Sequence, residues 1–123
     1  MKRRLLLPIV LGAVALGLAA QTQAMSAPKL KGTVGPGYTI SLKDSTGKKV
    51  TSLKAGKYTF VVSDKASIHN FTLEQEKGGK FEKEISGTGF QGTKTVTLTL
   101  KAGKWKYYCS VHESQMFGFF TVK

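Results

Sequence analysis

Short segments in which apolar and polar residues alternate run through residues 38–123, and this pattern constrains the fold most strongly. The segments are rich in Thr, Val, Tyr and Phe, and turns such as "DSTGKK" and "EKGGK" separate them. Several short strands at this spacing are typical of an antiparallel β-sandwich or barrel. The clearest predicted strands are 38–44, 57–64, 69–75, 94–100, 104–109 and 118–123.

One internal similarity links two of these segments. "SLKAGKYTF" (52–60) and "TLKAGKWKY" (99–107) share the pattern Leu-Lys-Ala-Gly-Lys-aromatic. Gly56 and Gly103 permit a tight turn before an aromatic side chain enters the core. Two copies are too few for a repeat architecture. We therefore interpret them as matching corners of one sandwich.

The first residues of the chain have the layout of a secretory signal peptide. A basic start at residues 2–4 and an apolar run from Leu5 to Ala20 precede a small-x-small cleavage site that ends at Ala24. The apolar run is shorter than the roughly 20 residues that span a bilayer, which favours cleavage over an uncleaved membrane anchor. We expect a signal peptide over 1–24, with cleavage after Ala20 as the alternative, and one exported domain over 25–123. Its expected location is the periplasm or another extracytoplasmic space.

The charge of the mature chain indicates which kinds of partner it can bind. Removing Lys2, Arg3 and Arg4 with the signal peptide lowers the formal net charge from +12 to +9. All remaining strong bases are lysines, whereas proteins that read nucleic acids usually use arginine for bidentate contacts. The lysines indicate a solubilising surface that favours encounter with an acidic partner or an anionic surface, and no nucleic-acid partner is expected.

The remaining chemistry lies in four soft donors. Cys109, His112 and Met116 have the spacing Cys-x2-His-x3-Met, and His69 lies forty residues upstream of Cys109. A set of imidazoles, thiolate and thioether makes hard cations such as Mg²⁺ and Ca²⁺ poor candidates, because they prefer oxygen ligands. Two His and one Cys in a trigonal arrangement, with a weak axial Met, form the ligand set of a blue-copper electron-transfer site.

Three segments around these donors carry a family resemblance: "HNF" (69–71), "YYCSVH" (107–112) and "MFGFFTV" (116–122). In them the sequence resembles the small type 1 blue-copper proteins of the cupredoxin family, which are plastocyanin-, pseudoazurin-, amicyanin- or azurin-like. The resemblance covers most of the mature chain. It implies a Greek-key antiparallel β-sandwich of about seven or eight strands and one type 1 copper ion.

The resemblance also implies the role of each donor. His69, Cys109 and His112 are the expected equatorial copper ligands, and Met116 is the expected axial ligand. Gln115 is the alternative axial ligand, because some relatives use a Gln oxygen. The Met-x-Gly register that begins at Met116 favours the methionine.

Asn70, next to His69, opens the sequence "NFT" of a glycosylation acceptor. The resemblance implies a structural role instead, in which Asn70 ties the His69 loop to the Cys109 loop by hydrogen bonds. Such restraint orients metal ligands. We therefore expect Asn70 to be buried and unglycosylated.

Four protein ligands would leave no open position for a substrate, which predicts an electron carrier and not an enzyme. A periplasmic protein that stores or delivers copper is the alternative, and the same residues could also hold structural zinc. A storage protein usually carries extra Met or His residues. After cleavage the only methionines are Met25 and Met116, and the only histidines are the two expected ligands.

The expected partner is a protein that exchanges electrons near His112. The resemblance implies that His112 lies near the surface, where Phe117, Met116 and "VGPG" (34–37) would form an apolar docking patch. The positive charge favours a partner that is acidic at its docking surface. We expect a monomer that contacts a membrane only through a membrane-bound redox partner.

Overall fold

The computed structural model describes residues 12–13, 17 and 26–123. The predicted signal peptide falls almost entirely outside these residues, and both possible cleavage sites fall wholly outside them. In the part of the chain that is described, no helix has the length and apolar character needed to cross a membrane.

Nine β-strands build the described domain. They are β1 Lys29–Val34, β2 Ile40–Asp44, β3 Ser52–Leu53, β4 Gly56–Asp64, β5 Phe71–Lys77, β6 Glu82–Ser86, β7 Gly92–Leu100, β8 Gly103–Tyr108 and β9 Phe117–Val122.

The strands form two sheets, with the orders β2-β1-β4-β7 and β3-β9-β8-β5-β6. The all-β sandwich predicted from the sequence is therefore confirmed. Two details differ from the expectation of seven or eight antiparallel strands, since there are nine strands and both sheets are mixed. β1 pairs with β4 in parallel, and β3 pairs with β9 in parallel. Both parallel pairs join strands that are distant in sequence, so a local pattern cannot reveal them.

Three strands were not among the clearest predicted segments. β1 reads KLKGTV and β6 reads EKEIS, so charged residues fill the outward positions and few apolar residues remain to mark alternation. β3 has only two residues. Pairing with neighbouring strands, and not local composition, makes these segments extended.

The core lies between the two sheets, where inward side chains alternate with outward ones along each long strand. In β4 the buried side chains include Tyr58, Phe60 and Val62. On the opposite sheet the Trp105 and Phe120 rings stack with centroids 6.2 Å apart. Burial of each large apolar side chain contributes roughly 1.5–3 kcal/mol. The result is a stiff frame from which the loops project.

The two similar segments do form matching corners. Gly56 and Gly103 have φ angles of 152° and 151°, a conformation that glycine adopts readily. The Tyr58 hydroxyl donates to the Lys54 carbonyl at 2.6 Å, and Trp105 Nε1 donates to the Lys101 carbonyl at 2.9 Å. In each corner an aromatic side chain is thus anchored to the carbonyl four residues before it. The prediction is confirmed.

Strand direction gives the sandwich two different ends. β4 and β8 run towards an end where the segments 35–39, 65–70, 87–91 and 109–116 connect the strands, and we call it the loop end. The opposite end is closed by the segments 53–57, 77–81, 100–104 and 122–123, and we call it the turn end.

Gly118, in the second strand position of β9, is a packing constraint. A Cβ atom placed on Gly118 would overlap the ring of Tyr107, whereas a Cβ atom on Gly37 would meet nothing. Overpacking of this kind usually costs about 1–3 kcal/mol. We expect Gly118→Ala to lower the free energy of unfolding by about 2–3 kcal/mol. Urea denaturation of both variants is the measurement, with Gly37→Ala as the control. Equal unfolding midpoints would contradict this packing.

Candidate metal centre

The structure brings three of the predicted donors together at the loop end. His69 Nδ1 lies 3.1 Å from His112 Nδ1. Cys109 Sγ lies 3.9 Å from His69 Nδ1 and 3.7 Å from His112 Nδ1. His69 and Cys109 are fully buried, and His112 is partly exposed. The three residues come from two loops forty positions apart, as the sequence predicted.

The size of this triangle suits a metal ion. The point in the plane of the three atoms that is equally far from each lies about 2.1 Å away from them. Bonds from a first-row transition metal to imidazole nitrogen and thiolate sulfur are about 2.0–2.3 Å. Two nitrogens and one sulfur are also the soft donors that copper prefers. The residues therefore fit a copper ion.

Backbone hydrogen bonds shape the two loops. In the first, Asp64 Oδ1 accepts from Ala66 N at 3.2 Å, and His69 N donates to the Ala66 carbonyl at 3.2 Å. In the second, Cys109 N donates to the Met116 carbonyl at 3.0 Å, which closes the loop at its base. His112 sits between these ends, and its own N–H donates to the Cys109 carbonyl at 3.1 Å. Each donor thus projects from a backbone that is held in place.

Asn70 joins the loops. Its Oδ1 accepts from Ser110 N at 2.9 Å, and its Nδ2 donates to Ser110 Oγ at 2.7 Å. Further bonds link it to Thr72 and Thr88. The Asn70 backbone N–H points at Cys109 Sγ, 3.4 Å away. Asn70 is 1% exposed, so the predicted tie is confirmed and a glycan has no room at this position.

Met116 is fully buried beside the cluster, whereas Gln115 is exposed. Their backbone N–H groups both donate to the His112 carbonyl, at 2.9 Å from Met116 and 3.0 Å from Gln115. This tight turn directs the two side chains to different environments. Only Met116 lies in the interior.

The surface of the loop end carries an apolar patch formed by Tyr38, Ile68, Val111 and Phe117. The first three are 57%, 52% and 55% exposed, and Phe117 is 48% exposed. Tyr38 makes edge contacts with His69 and His112, with ring centroids 5.4 and 4.9 Å apart.

The composition of this patch differs from the sequence-based expectation. Met116 and Val34 are buried and do not belong to it, whereas Phe117 does. Sequence reasoning missed Tyr38, Ile68 and Val111. Ile68 and Val111 each precede an expected histidine ligand, and that position was the available signal.

Two tyrosines next to the cluster stay neutral. Burial raises the pKa of Tyr108 well above its usual range, and the hydrogen bond from its hydroxyl to Glu82 Oε1, 2.8 Å long, raises it further. Burial also raises the pKa of Tyr107, against a smaller opposing effect from the Leu42 backbone. These hydroxyls therefore bring no negative charge near Cys109 at neutral pH.

Comparison with known proteins agrees with this geometry. Residues 37–123 match the family described as copper binding proteins, plastocyanin/azurin family. No curated protein matches the chain in sequence.

Solved structures of several copper proteins share the fold. Auracyanin A, a blue copper protein from the green thermophilic photosynthetic bacterium Chloroflexus aurantiacus, is 17% identical with a TM-score of 0.54, and the match covers 80% of this chain and 100% of auracyanin A. A rusticyanin variant is 22% identical with a TM-score of 0.52 and coverage of 81% and 80%. A Cu(I) form of an amicyanin variant is 14% identical with a TM-score of 0.51 and coverage of 78% and 83%.

The family match spans most of the described domain and includes all four predicted donors. Proteins of this family transfer electrons through a blue-copper centre. The chain therefore belongs to the plastocyanin/azurin family of copper-binding proteins, the type 1 cupredoxins, and its cofactor is one copper ion.

Proposed function

We propose that this protein is an exported carrier of single electrons, with His69, Cys109 and His112 as equatorial copper ligands and Met116 as the axial ligand. The observation that supports this most strongly is the triangle of donor atoms, because its size and chemistry match a trigonal copper site. The basic and apolar start of the sequence supports export.

The burial of the two loop residues supports the axial assignment. Met116 is enclosed, and Gln115 faces solvent. A thioether is also a weak donor, as the axial position of such a centre requires. The side chain of Gln115 could reach the interior only if the turn that follows His112 changed its conformation.

When bound, copper supplies the Cu(I)/Cu(II) couple. The residues of the chain limit how far the donors move when the charge of the centre changes. The bond between Cys109 N and the Met116 carbonyl closes one loop, and Asn70 fixes that loop to the His69 loop. Burial of Cys109 and His69 keeps water from the thiolate side. A site held in this way suits electron transfer, which needs little rearrangement.

Four protein donors leave no position for a substrate, and this supports a carrier over an enzyme. The partly exposed His112 is the group through which electrons would leave, since Tyr38 and Val111 beside it form an apolar surface. Such a surface suits brief docking of a redox protein by a monomer.

Electron exchange and copper retention together test this function against copper storage. We expect the copper-loaded protein to exchange electrons rapidly between its Cu(I) and Cu(II) forms, measured by NMR line broadening of mixtures. We also expect a strong Cu(I) chelator to remove the metal only slowly. Slow electron exchange combined with rapid loss of copper to the chelator would support storage or delivery instead.

The partner is proposed to be acidic. The +9 charge of residues 25–123 supports long-range attraction to it. We expect the rate of electron exchange with an acidic redox protein to fall as ionic strength rises, because salt screens charges beyond about 8–10 Å. Stopped-flow mixing over a series of salt concentrations measures this. A rate that does not depend on salt would contradict an acidic partner.

A further inference from the structure

The positive charge of this protein is concentrated away from the metal centre. The segments that form the turn end carry exposed lysines and contain no acidic residue. Six of these lysines are Lys54, Lys57, Lys77, Lys80, Lys101 and Lys104. Lys123 is a seventh, and Glu76 and Glu82 border the group. The loop end differs, since its segments contain only Lys65 and Glu113 as charged residues.

These lysines are close together because the turns contact one another. Lys123 O accepts from Ala55 N at 2.8 Å, and Ala102 O accepts from Gln75 Nε2 at 3.2 Å. Lys77 pairs with Lys104 across the β5–β8 ladder. Within residues 26–123 none of the seven lysines forms a salt bridge. The only ion pair there joins Lys106 to Glu113 at 2.6 Å.

We propose that the turn end binds the surface of a bilayer that contains anionic phospholipid. Lysine ammonium groups spread over the four turn-end segments suit a fluid layer of negative headgroups, and each lysine near such a surface strengthens binding about fivefold. A protein partner is a poorer match. Cores of protein interfaces are enriched in aromatic residues and Arg and depleted in Lys, and the exposed large apolar residues of the described chain lie outside these turns.

The length of the sandwich separates the functions that its two ends can serve. β4 spans nine residues from the turn end to the loop end, which is about 27 Å. A redox protein that bound at the turn end would therefore hold its own redox centre far from His112. Binding by the turn end would instead hold the protein at the membrane while the apolar patch at the loop end stays free. This proposal differs from the expectation that the protein contacts a membrane only through a membrane-bound redox partner.

Two variants of equal net charge test the proposal. One replaces a lysine in each of the four turn-end segments with Gln: Lys54→Gln, Lys80→Gln, Lys101→Gln and Lys123→Gln. The matched control replaces four exposed lysines elsewhere: Lys31→Gln, Lys43→Gln, Lys83→Gln and Lys94→Gln. Each protein is produced from the full chain, loaded with copper, and sedimented with vesicles of phosphatidylcholine alone or mixed with phosphatidylglycerol.

We expect the parent protein to bind the mixed vesicles and not phosphatidylcholine alone. The turn-end variant should bind the mixed vesicles roughly a hundredfold or more weakly. The control should lose no more than about fivefold, because its lysines lie within strands β1, β2, β6 and β7, outside the turn-end segments. Equal losses in both variants would overturn the proposal, since net charge alone would then explain binding. Capture of the parent by immobilised polyglutamate without vesicle binding would also overturn it and would indicate an acidic protein.

The copper spectrum separates this inference from the proposed function. Vesicle binding with no blue absorption band would contradict only the electron-carrier proposal. A normal blue band with no vesicle binding would contradict only the membrane proposal.

Discussion

Replacing Cys109 with alanine is expected to abolish the intense blue absorption band and the narrow copper hyperfine splitting that Cu(II) produces in the parent protein. Both signals require a thiolate bonded to copper, and Cys109 is the only cysteine in the chain. Its Sγ is one corner of the donor triangle, with both Nδ1 atoms within 3.9 Å. Removing it leaves two imidazoles and a buried thioether, which can hold copper only as a pale complex.

Visible absorption and electron paramagnetic resonance spectra after addition of Cu(II) measure this effect. Ser114→Ala is the matched control, because Ser114 lies exposed in the same loop. The control should retain the full blue band. A blue band that persists in Cys109→Ala would exclude Cys109 as a ligand. A pale complex in the parent protein would instead favour the storage or zinc alternatives.

Asn70→Ala is expected to destabilise the copper-free protein by about 3 kcal/mol and to disturb the copper spectrum. The Asn70 side chain makes four hydrogen bonds, two of them to Ser110 and one each to Thr72 and Thr88. Each buried polar group left without a partner costs roughly 1–3 kcal/mol. The buried Thr72 hydroxyl loses its acceptor in this variant. The two donor loops also lose their main connection, so the donors should become less well oriented.

Urea denaturation of the metal-free proteins measures the stability change, and paramagnetic resonance of the copper forms reports the geometry. Thr88→Ala serves as the control because it removes only one of these bonds, at an exposed residue. We expect it to cost less than about 1 kcal/mol and to leave the spectrum unchanged. If Asn70→Ala unfolds at the same urea concentration as Thr88→Ala, Asn70 does not hold the loops together.

The strands that the sequence predicted share one property, which is that their inward positions are visibly apolar. In β4, Tyr58, Phe60 and Val62 occupy every second position, and the burial of the folded strand follows the same alternation. β6 lacks this signal because only Ile85 is apolar. Its extended conformation depends on pairing with β5, which is a contact that local composition does not encode.

The chemistry of the metal centre was likewise determined by residue type. The thiol of Cys109 and the imidazoles of His69 and His112 favour a soft metal ion whatever their arrangement, and so does the thioether of Met116, the proposed axial ligand. The spacing within residues 109–116 places three of them on one loop.

Only the tertiary structure determined which residues from distant parts of the chain lie close together. The meeting of His69 with Cys109, the position of Tyr38 over both histidines and the gathering of lysines at the turn end are all contacts between distant parts of the chain. A sequence pattern with a period of two residues specifies which face a side chain occupies. It does not specify which strands become neighbours, because that depends on how both sheets pack around one core.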